Sequence, residues 1–187
     1  MDKYIFLKRK VLTKDSCDHL IRMFEKSELC DNIRGYKFID ANLQTPKFSF
    51  LRELLLSTCS EYLKKHPFLS KRRMYINPDF MIKRFLSGEY YGHTFEEISK
   101  PEDAEHMEHG SSSSDALRVL AWMFYLNDIK HAGGTCWPQQ NFISKPRAGD
   151  LYIWPAGWTH SHYGIPAPKE NKYFMSGWCS LMGLENE

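Results

Sequence analysis

The sequence has little that would tie the chain to a membrane, to nucleic acid or to an export pathway. Its 187 residues carry a formal net charge of only +2. Nucleic acid is not expected as an obligate partner, because phosphate binding requires a concentrated basic footprint. No apolar run approaches the roughly 20 residues that span a bilayer, and the first residues, MDKYIFLKRKVLTKD, lack the apolar core of a signal peptide. We therefore expect a cytoplasmic protein with no membrane partner. Nothing in the sequence specifies its oligomeric state.

Cysteines are few and are not arranged in pairs. The five of them are an odd number, and no two form a CxxC motif. This pattern indicates reduced thiols and argues against both a disulfide framework and a zinc knuckle. The cysteines are Cys17, Cys30, Cys59, Cys136 and Cys179.

Helical patterns occupy the first part of the chain. Hydrophobic residues make up 42% of the sequence and aromatics 14%, which predicts one packed domain over residues 1–187 with residues 1–70 as mainly helical support. Thr13 can cap a first helix, and a second helix is predicted to start near Ser49 and to end before Pro67. Apolar residues recur at spacings of three and four in both, which makes them core positions. They are Cys17, Leu20, Ile21 and Phe24 in the first helix, and Leu51, Leu54, Leu55, Thr58, Cys59 and Tyr62 in the second.

Short apolar segments separated by turn residues follow after Lys71. Glycine and proline lie between them, at Gly133-Gly134, Pro146 and Gly149. Short strands with regular turn signals predict an antiparallel sandwich or barrel. We therefore predict a mostly β protein with N-terminal helices, in which residues 71–187 form a jelly-roll core flanked by α-helices. The predicted strands span residues 80–85, 119–126, 142–143, 151–154 and 172–178.

One long polar stretch interrupts the predicted strands. It covers residues 92–115, from Gly92 to Asp115, and is rich in glutamate, histidine and serine. This composition is too polar for a core segment. Because it contains candidate metal ligands, the stretch is a candidate lid. The competing interpretation is a solvated insertion.

The candidate metal ligands are two histidines and one carboxylate. His106 and Glu108 are two residues apart, so on a strand both side chains would face the same way. His162, on a later strand, would complete a triangle. Two histidines and one carboxylate with open positions form the ligand set of non-haem Fe(II) oxygenases. Lys172 follows His162 by ten residues and would supply a positive charge for a cosubstrate carboxylate.

Other histidines compete for these positions. A His-x-Glu pair alone is a weak signal, because it arises by chance in a stretch rich in both residues. His93 also follows a predicted strand, but the residue two further on is Phe95, which cannot ligate a metal. We therefore favour the His-x-Glu pair over His93. His109 and His160 are further candidates, and spacing alone does not separate His160 from His162, since both would share one strand face.

Taken in this order, the motifs resemble those of the 2-oxoglutarate and Fe(II)-dependent dioxygenases, in particular their prolyl 4-hydroxylase-like branch. The similarity extends from Phe80 to Leu181. Its most specific parts are RVLAWMFYLNDIKHAGGTCWP at residues 118–138, KPRAGDLYIWP at residues 145–155 and HYGIPAPKENKYFMSGW at residues 162–178. The last of these has the H-x-G…K spacing of that family.

The resemblance implies a double-stranded β-helix, another name for the jelly roll. It implies Fe(II) held by His106, Glu108 and His162, with 2-oxoglutarate as cosubstrate and ascorbate as a candidate additional cofactor. The far carboxylate of 2-oxoglutarate would meet Lys172. Tyr125 matches the position whose hydroxyl often assists, although a buried tyrosine with its hydroxyl satisfied inside the protein is the competing interpretation. The family usually has aspartate where Glu108 stands.

The implied reaction hydroxylates an unactivated C–H bond while 2-oxoglutarate is converted to succinate and carbon dioxide. A prolyl residue in a peptide is the substrate that the resemblance suggests, and this rests on analogy. A free amino acid or another small molecule is the alternative. Two other classes of function compete with this one. The first is a jelly-roll binding module without catalysis. The second is a zinc hydrolase, since zinc also accepts two histidines and one glutamate.

Overall fold

The strands of the protein form one large and one small antiparallel sheet. The computed structural model describes residues 3–28, 30–31, 36–71, 73–87 and 118–181. Eight strands make the large sheet in the order β1-β9-β6-β11-β5-β3-β2, with β4 paired to β11, and the small sheet has the order β10-β7-β8. The strands are β1 (Phe6–Lys8), β2 (Cys30–Asp31), β3 (Lys37–Asn42), β4 (Met74–Ile76), β5 (Asp79–Phe85), β6 (Arg118–Tyr125), β7 (Thr135–Trp137), β8 (Phe142–Ile143), β9 (Leu151–Pro155), β10 (Tyr163–Gly164) and β11 (Lys172–Leu181).

The two predicted helices are confirmed with their boundaries. Helix α1 spans Lys14–Glu25, and the Thr13 side chain accepts a hydrogen bond from the amide of Ser16, which satisfies one of the amides that a helix start leaves open. Helix α2 spans Ser49–Lys65, and Pro67 lies just beyond it, where the short helix α3 (Pro67–Ser70) begins. Single 3₁₀ turns cover Pro46–Phe48, Pro138–Gln140 and Trp158–His160.

The expectation that residues 1–70 are mainly helical support is incomplete. This part of the chain also supplies β1, β2 and β3. Strand β1 pairs with β9 at one edge of the large sheet, while β3 pairs with β5 and carries β2 at the other. The N-terminal segment therefore completes both edges of the large sheet as well as packing helices against it.

The large sheet buries a different set of residues on each face. Alternate residues of a strand point to opposite faces, and Leu120, Trp122 and Phe124 of β6 pack against the helices. Residues 121, 123 and 125 of the same strand pack on the other side, against Trp137 of the small sheet. We call these the helix face and the inner face. Within the described ranges, none of the helices combines the length and the apolar character that crossing a membrane requires.

The cysteines of the described residues are free, as the sequence predicts. Cys17, Cys59, Cys136 and Cys179 are all buried. The sulfur atoms of Cys59 and Cys179 lie 3.8 Å apart between α2 and β11. Nothing about the Cys30 side chain is described.

Candidate functional site

Lys172 is a lysine buried on the inner face, at the start of β11. The residue is only 4% exposed to solvent. The ammonium group lies 3.5 Å from the carbonyl oxygen of Gly134, and 5.6 Å and 5.2 Å from the ring centroids of Tyr125 and Phe174. A Cβ added to Gly164 would come within 3.5 Å of the same nitrogen. Aromatic faces and one carbonyl therefore surround this cation.

The surroundings of Lys172 lack a negative charge as far as the described residues extend. No carboxylate among them forms an ion pair or hydrogen bond with its ammonium group. Burial lowers the pKa of Lys172 to about 7, because removal from water disfavours the charged form. A carboxylate bound beside the ammonium group would offset this cost, so the position is suited to an anionic ligand.

Tyr125 ends β6 beside this lysine, and its hydroxyl is held by two other hydroxyl groups. The Tyr125 oxygen lies 2.9 Å from Thr135 Oγ1 and 2.7 Å from Ser144 Oγ. Ser144 Oγ also accepts a hydrogen bond of 2.8 Å from the Thr135 amide. Burial raises the pKa of Tyr125 to about 12, so the phenol stays neutral at physiological pH. The Tyr125 hydroxyl already has hydrogen-bond partners within the protein. A contact between this hydroxyl and a cosubstrate stays a prediction.

His162 lies just before β10 with its ring between two tryptophans. The ring centroid is 5.9 Å from that of Trp137 and 4.9 Å from that of Trp154. Its Nδ1 lies 3.1 Å from the carbonyl oxygen of His160. Since a carbonyl can only accept, this contact requires a proton on Nδ1. Metal-binding histidines are commonly oriented in this way.

His160 does not share a strand face with His162, and the expectation that it would do so was wrong. The chain turns here, because the amide of His160 donates to the carbonyl of Gly157 at 3.0 Å and closes a 3₁₀ turn. The His160 side chain is buried, at 6% exposure. Its Nδ1 lies 3.0 Å from Thr159 Oγ1, and its ring packs edge-on against Tyr4 at 6.2 Å. The turn therefore gives the two histidines separate surroundings.

The remaining predicted ligands lie outside the described residues. These are His106 and Glu108, and the competing His93 lies there as well. Among the residues that the structure describes, no three His, Cys, Asp or Glu side chains form a group that could hold a metal ion. The metal assignment is therefore a prediction for all its members, and only His162 has described surroundings.

Lys83 is a further lysine of the inner face, which sequence analysis did not single out. Lys83 is opposite Phe174 in the pairing of β5 with β11, so its side chain is on the inner face with Lys172. The alternation within β5 was a usable signal, because Phe80 and Ile82 belong to the helix face and place Lys83 on the opposite one. Ser144 was also missed, since a serine in a loop carries no pattern of its own.

A cavity of about 580 Å³ lies beside this group of residues. Its lining includes Gly134 and Ser144, which also contact Lys172 and Tyr125. Neither Lys172, Tyr125 nor His162 lines this cavity. The cavity therefore borders the surroundings of the buried lysine through Gly134 and Ser144, although the lysine itself does not line it.

Comparisons by sequence give no match, whereas comparisons of structure do. No protein-family model and no curated protein matches the chain. A viral collagen prolyl hydroxylase from Paramecium bursaria Chlorella virus-1, solved as its 2OG complex, has a TM-score of 0.67 at 19% identity, with 96% of this chain and 97% of that chain covered. A Pseudomonas putida prolyl-4-hydroxylase has a TM-score of 0.64 at 12% identity, with 96% and 94% covered.

A third similar structure is a prolyl hydroxylase from Trichoplax adhaerens in complex with a hypoxia inducible factor oxygen degradation domain peptide fragment. Its TM-score is 0.62 at 13% identity, with 96% of this chain and 84% of that chain covered. The chain thus has the fold of prolyl hydroxylases and 2OG-Fe(II) oxygenases. At these identities, the similarity concerns the fold alone.

Proposed function

We propose that this protein is an Fe(II)- and 2-oxoglutarate-dependent dioxygenase that hydroxylates an unactivated C–H bond. The observation that carries the proposal is the Lys172 ammonium group, buried among aromatic rings with no carboxylate partner among the described residues. A carboxylate bound here would offset the cost of burying the ammonium group, and 2-oxoglutarate has a distal carboxylate to offer. The fold shared with 2OG-Fe(II) oxygenases supports this choice of ligand.

We further propose that the fold is a double-stranded β-helix. The large and small antiparallel sheets would be the two halves of a double-stranded β-helix, with α1 and α2 on the outside. The whole chain, residues 1–187, would act as one dioxygenase domain. The packing of Trp137 from the small sheet against the inner face of the large one supports this arrangement.

The proposed iron ligands are His106, Glu108 and His162. The contact of His162 Nδ1 with the His160 carbonyl supports its role, since metal-binding histidines commonly donate their other ring N–H to such a group. His93 is the competing ligand for His106. When bound, iron together with 2-oxoglutarate would supply the oxidising chemistry, with ascorbate as a candidate reductant.

The protein's own residues would then bind, orient and exclude water. Lys172 would hold the distal carboxylate of 2-oxoglutarate. Strand β11 pairs with three other strands, so it would hold the lysine in a fixed position and thereby orient the ligand. Trp137 and Trp154 would keep the His162 ring in one orientation and limit the access of water beside it. Tyr125 would stay a neutral hydrogen-bonding group near the same carboxylate.

A prolyl residue in a peptide is the proposed substrate. The peptide-bound Trichoplax structure with the same fold supports a peptide rather than a small molecule. A free amino acid or other small molecule is the alternative, and mass spectrometry of peptide libraries and metabolite mixtures for a gain of one oxygen would distinguish the two.

Anaerobic titration of the Fe(II)-loaded protein with 2-oxoglutarate tests the proposal. The visible charge-transfer band of the chelate should appear and saturate. His162→Ala and His106→Ala should abolish the band, while His93→Ala should retain it. If His93→Ala abolishes it instead, the metal assignment moves to His93. If iron is bound and the wild-type protein gives no band, the dioxygenase proposal fails, and a binding module or a zinc hydrolase becomes the better hypothesis.

A further inference from the structure

The Ser144 hydroxyl is a buried polar group to which the proposed function assigns no role. The residue is only 3% exposed and directly follows β8. Its amide donates to the carbonyl oxygen of Thr135 at 2.9 Å, and its Oγ accepts from the Thr135 amide at 2.8 Å. Two hydrogen bonds to one residue of β7 therefore hold Ser144 Oγ in a fixed position, 2.7 Å from the Tyr125 oxygen.

The single hydrogen of the Ser144 hydroxyl has two acceptors within reach. One is the Tyr125 oxygen at 2.7 Å, and the other is the Thr135 carbonyl oxygen at 3.3 Å. The carbonyl already accepts the Ser144 amide, whereas the distance to Tyr125 is typical of a hydrogen bond between two hydroxyl groups. We therefore assign the hydrogen to the contact with Tyr125, so that Ser144 is the donor and the phenol oxygen is the acceptor.

The hydrogen of Tyr125 can then change its acceptor. Without a ligand, Tyr125 can donate to Thr135 Oγ1 at 2.9 Å, and Thr135 Oγ1 can donate to the sulfur of Met123 at 3.8 Å. Sulfur is a weak acceptor. With a carboxylate in reach, Thr135 can donate to Tyr125 instead, and Tyr125 can donate to the carboxylate. A hydrogen bond to an ionised group is stronger than the neutral one that it replaces.

The direction of the Ser144 hydrogen bond decides whether this second arrangement is possible. If Tyr125 donated to Ser144, its only hydrogen would be used inside the protein, and the lone pairs of the phenol oxygen would face the carboxylate. Donation from Ser144 also polarises the phenol, because hydrogen bonds in a chain strengthen one another. Burial raises the pKa of Tyr125, and the hydrogen bonds with Ser144 and Thr135 oppose this rise, as donors to the phenol oxygen would.

The hydroxyl network lies next to the cation that would hold the ligand. The Lys172 ammonium group is 5.6 Å from the centroid of the Tyr125 ring. It is also 3.5 Å from the carbonyl oxygen of Gly134, the residue before Thr135. The ammonium group and the hydroxyl network therefore both adjoin the start of β7, and a carboxylate bound to Lys172 would have the network as its neighbour.

We propose that Ser144 is a positioning residue that acts through Tyr125. Its hydroxyl donates to the phenol oxygen and thereby leaves the phenol hydrogen for the distal carboxylate of 2-oxoglutarate at Lys172. The inference rests on the proposed function, because it adds a residue to the same site. In this role Ser144 does not contact the ligand itself.

The test is a double-mutant cycle on the intact, Fe(II)-loaded protein, with the Kd for 2-oxoglutarate measured by anaerobic titration. The four proteins are the wild type, Ser144→Ala, Tyr125→Phe and the double variant. Ser144→Ala should raise the Kd by about fivefold in the wild-type background, the size of one hydrogen bond. In the Tyr125→Phe background the same substitution should change the Kd by less than about twofold, because no phenol hydrogen remains to be directed.

The cycle separates positioning from a purely structural role. Ser144→Ala also leaves the Thr135 amide without its side-chain acceptor, but this loss is the same in both backgrounds and cancels. Ser180→Ala is the matched control, since Ser180 is a similarly buried serine at the other end of β11 from Lys172 and donates to Asn77 Oδ1 at 2.8 Å. It should leave the Kd unchanged although it removes a hydrogen bond of a buried serine.

Two further variants protect the test against a folding defect. Ser144→Cys keeps the shape of the side chain but offers only a weak donor, so it should raise the Kd as Ser144→Ala does. Ser144→Thr keeps the hydroxyl and should bind 2-oxoglutarate as the wild type does. An unchanged Kd in Ser144→Ala and Ser144→Cys, or an equal rise in both backgrounds, would overturn the inference and leave the proposed function intact. A wild-type protein that binds iron but not 2-oxoglutarate would reject the proposed function, and the role of Ser144 with it.

Discussion

The two faces of the large sheet differ in what they bury, although the same strands build both. Phe124 and Tyr125 are neighbours in β6, and each is fully buried on its own face. Phe124 packs in a layer with Leu20 of α1 and Leu55 of α2. The hydroxyl of Tyr125 bonds to other hydroxyl groups beside a buried lysine. One face stabilises the fold by packing, and the other holds polar groups in fixed positions.

This difference leads us to expect that single substitutions on the two faces affect different properties of the protein. The helix face removes apolar surface from water, which is the main favourable term in folding. The inner face keeps the cation Lys172 away from water, which costs free energy in the absence of a ligand. Substitutions on the helix face should therefore affect unfolding, and substitutions on the inner face should affect ligand binding.

The largest expected effect is that of Lys172→Met on the inner face. The Kd for 2-oxoglutarate should rise by about 1,000-fold, because one partner of a buried charge pair is lost. The ligand-free protein should unfold at the same temperature or a higher one, since a buried charge has been removed. Parallel titration and thermal unfolding measure both quantities. A lower unfolding temperature together with intact binding would reverse the assignment of the two faces.

Leu55→Ala should have the next largest effect, on the helix face. Leu55 of α2 is fully buried, and truncation of such a leucine lowers the free energy of unfolding by about 3 kcal/mol. Urea unfolding measures the change. Below the unfolding transition, the affinity for 2-oxoglutarate should equal that of the wild type. A selective loss of ligand binding would mean that the helix face takes part in the site.

We expect the stability of the ligand-free protein to change gradually with pH. Burial lowers the pKa of Lys172 from 10.5 to about 7, so between these values the unfolded chain binds a proton that the folded chain does not. Stability therefore rises with pH across this window, and the cost of the buried charge is fully present below pH 7. Urea unfolding of the ligand-free protein between pH 7 and pH 10 measures the slope. The slope should be smaller in Lys172→Met, and equal slopes would contradict the assignment.

The smallest expected effects come from the neighbouring pair in β6. Tyr125→Phe should lower the free energy of unfolding by about 1 kcal/mol, because hydrogen bonds to Thr135 and Ser144 are lost. Phe124→Leu should lower the free energy of unfolding by about 1–2 kcal/mol, because the smaller side chain leaves a cavity. Urea unfolding and ligand titration of both variants provide the comparison. Only Tyr125→Phe should change the affinity for 2-oxoglutarate, and a shift of similar size in Phe124→Leu would argue against separate roles.

Patterns that depend on local sequence were sufficient for the helices α1 and α2 and for the strands β5, β6, β9 and β11, but they did not predict β3. The cap at Thr13 and the apolar spacing of α1 are local features, and both are confirmed. Strands β1 and β2 are three and two residues long, too short to show alternation, and they exist because a longer strand offers an edge to pair with. The 3₁₀ turn at Trp158–His160 was missed for a similar reason. Its sequence also permits a strand, and the burial of His160 against Tyr4 comes from a distant part of the chain.

The candidate site was predicted only in part. The H-x-G…K spacing led to His162 and Lys172, but the pairing of β5 with β11 was needed to place Lys83 on the same face of the sheet as Lys172. Pairing of strands that are distant in sequence is not encoded in any short motif, because it depends on the order of strands in the whole sheet. The ligands predicted at His106 and Glu108 lie between β5 and β6, outside the described residues.

The place of β11 in the sheet has a consequence for the native-state dynamics of the site. This strand pairs with β4, β5 and β6 and has paired strands on both sides along most of its length. We expect amide hydrogens in such a strand to exchange with solvent more slowly than those of edge strands such as β1 and β2, which open by local fraying. Lys172 begins this strand, where it is opposite Phe85 of β5. Fluctuations that open the edges of the sheet should therefore leave Lys172 in place more often than the residues of β1 and β2.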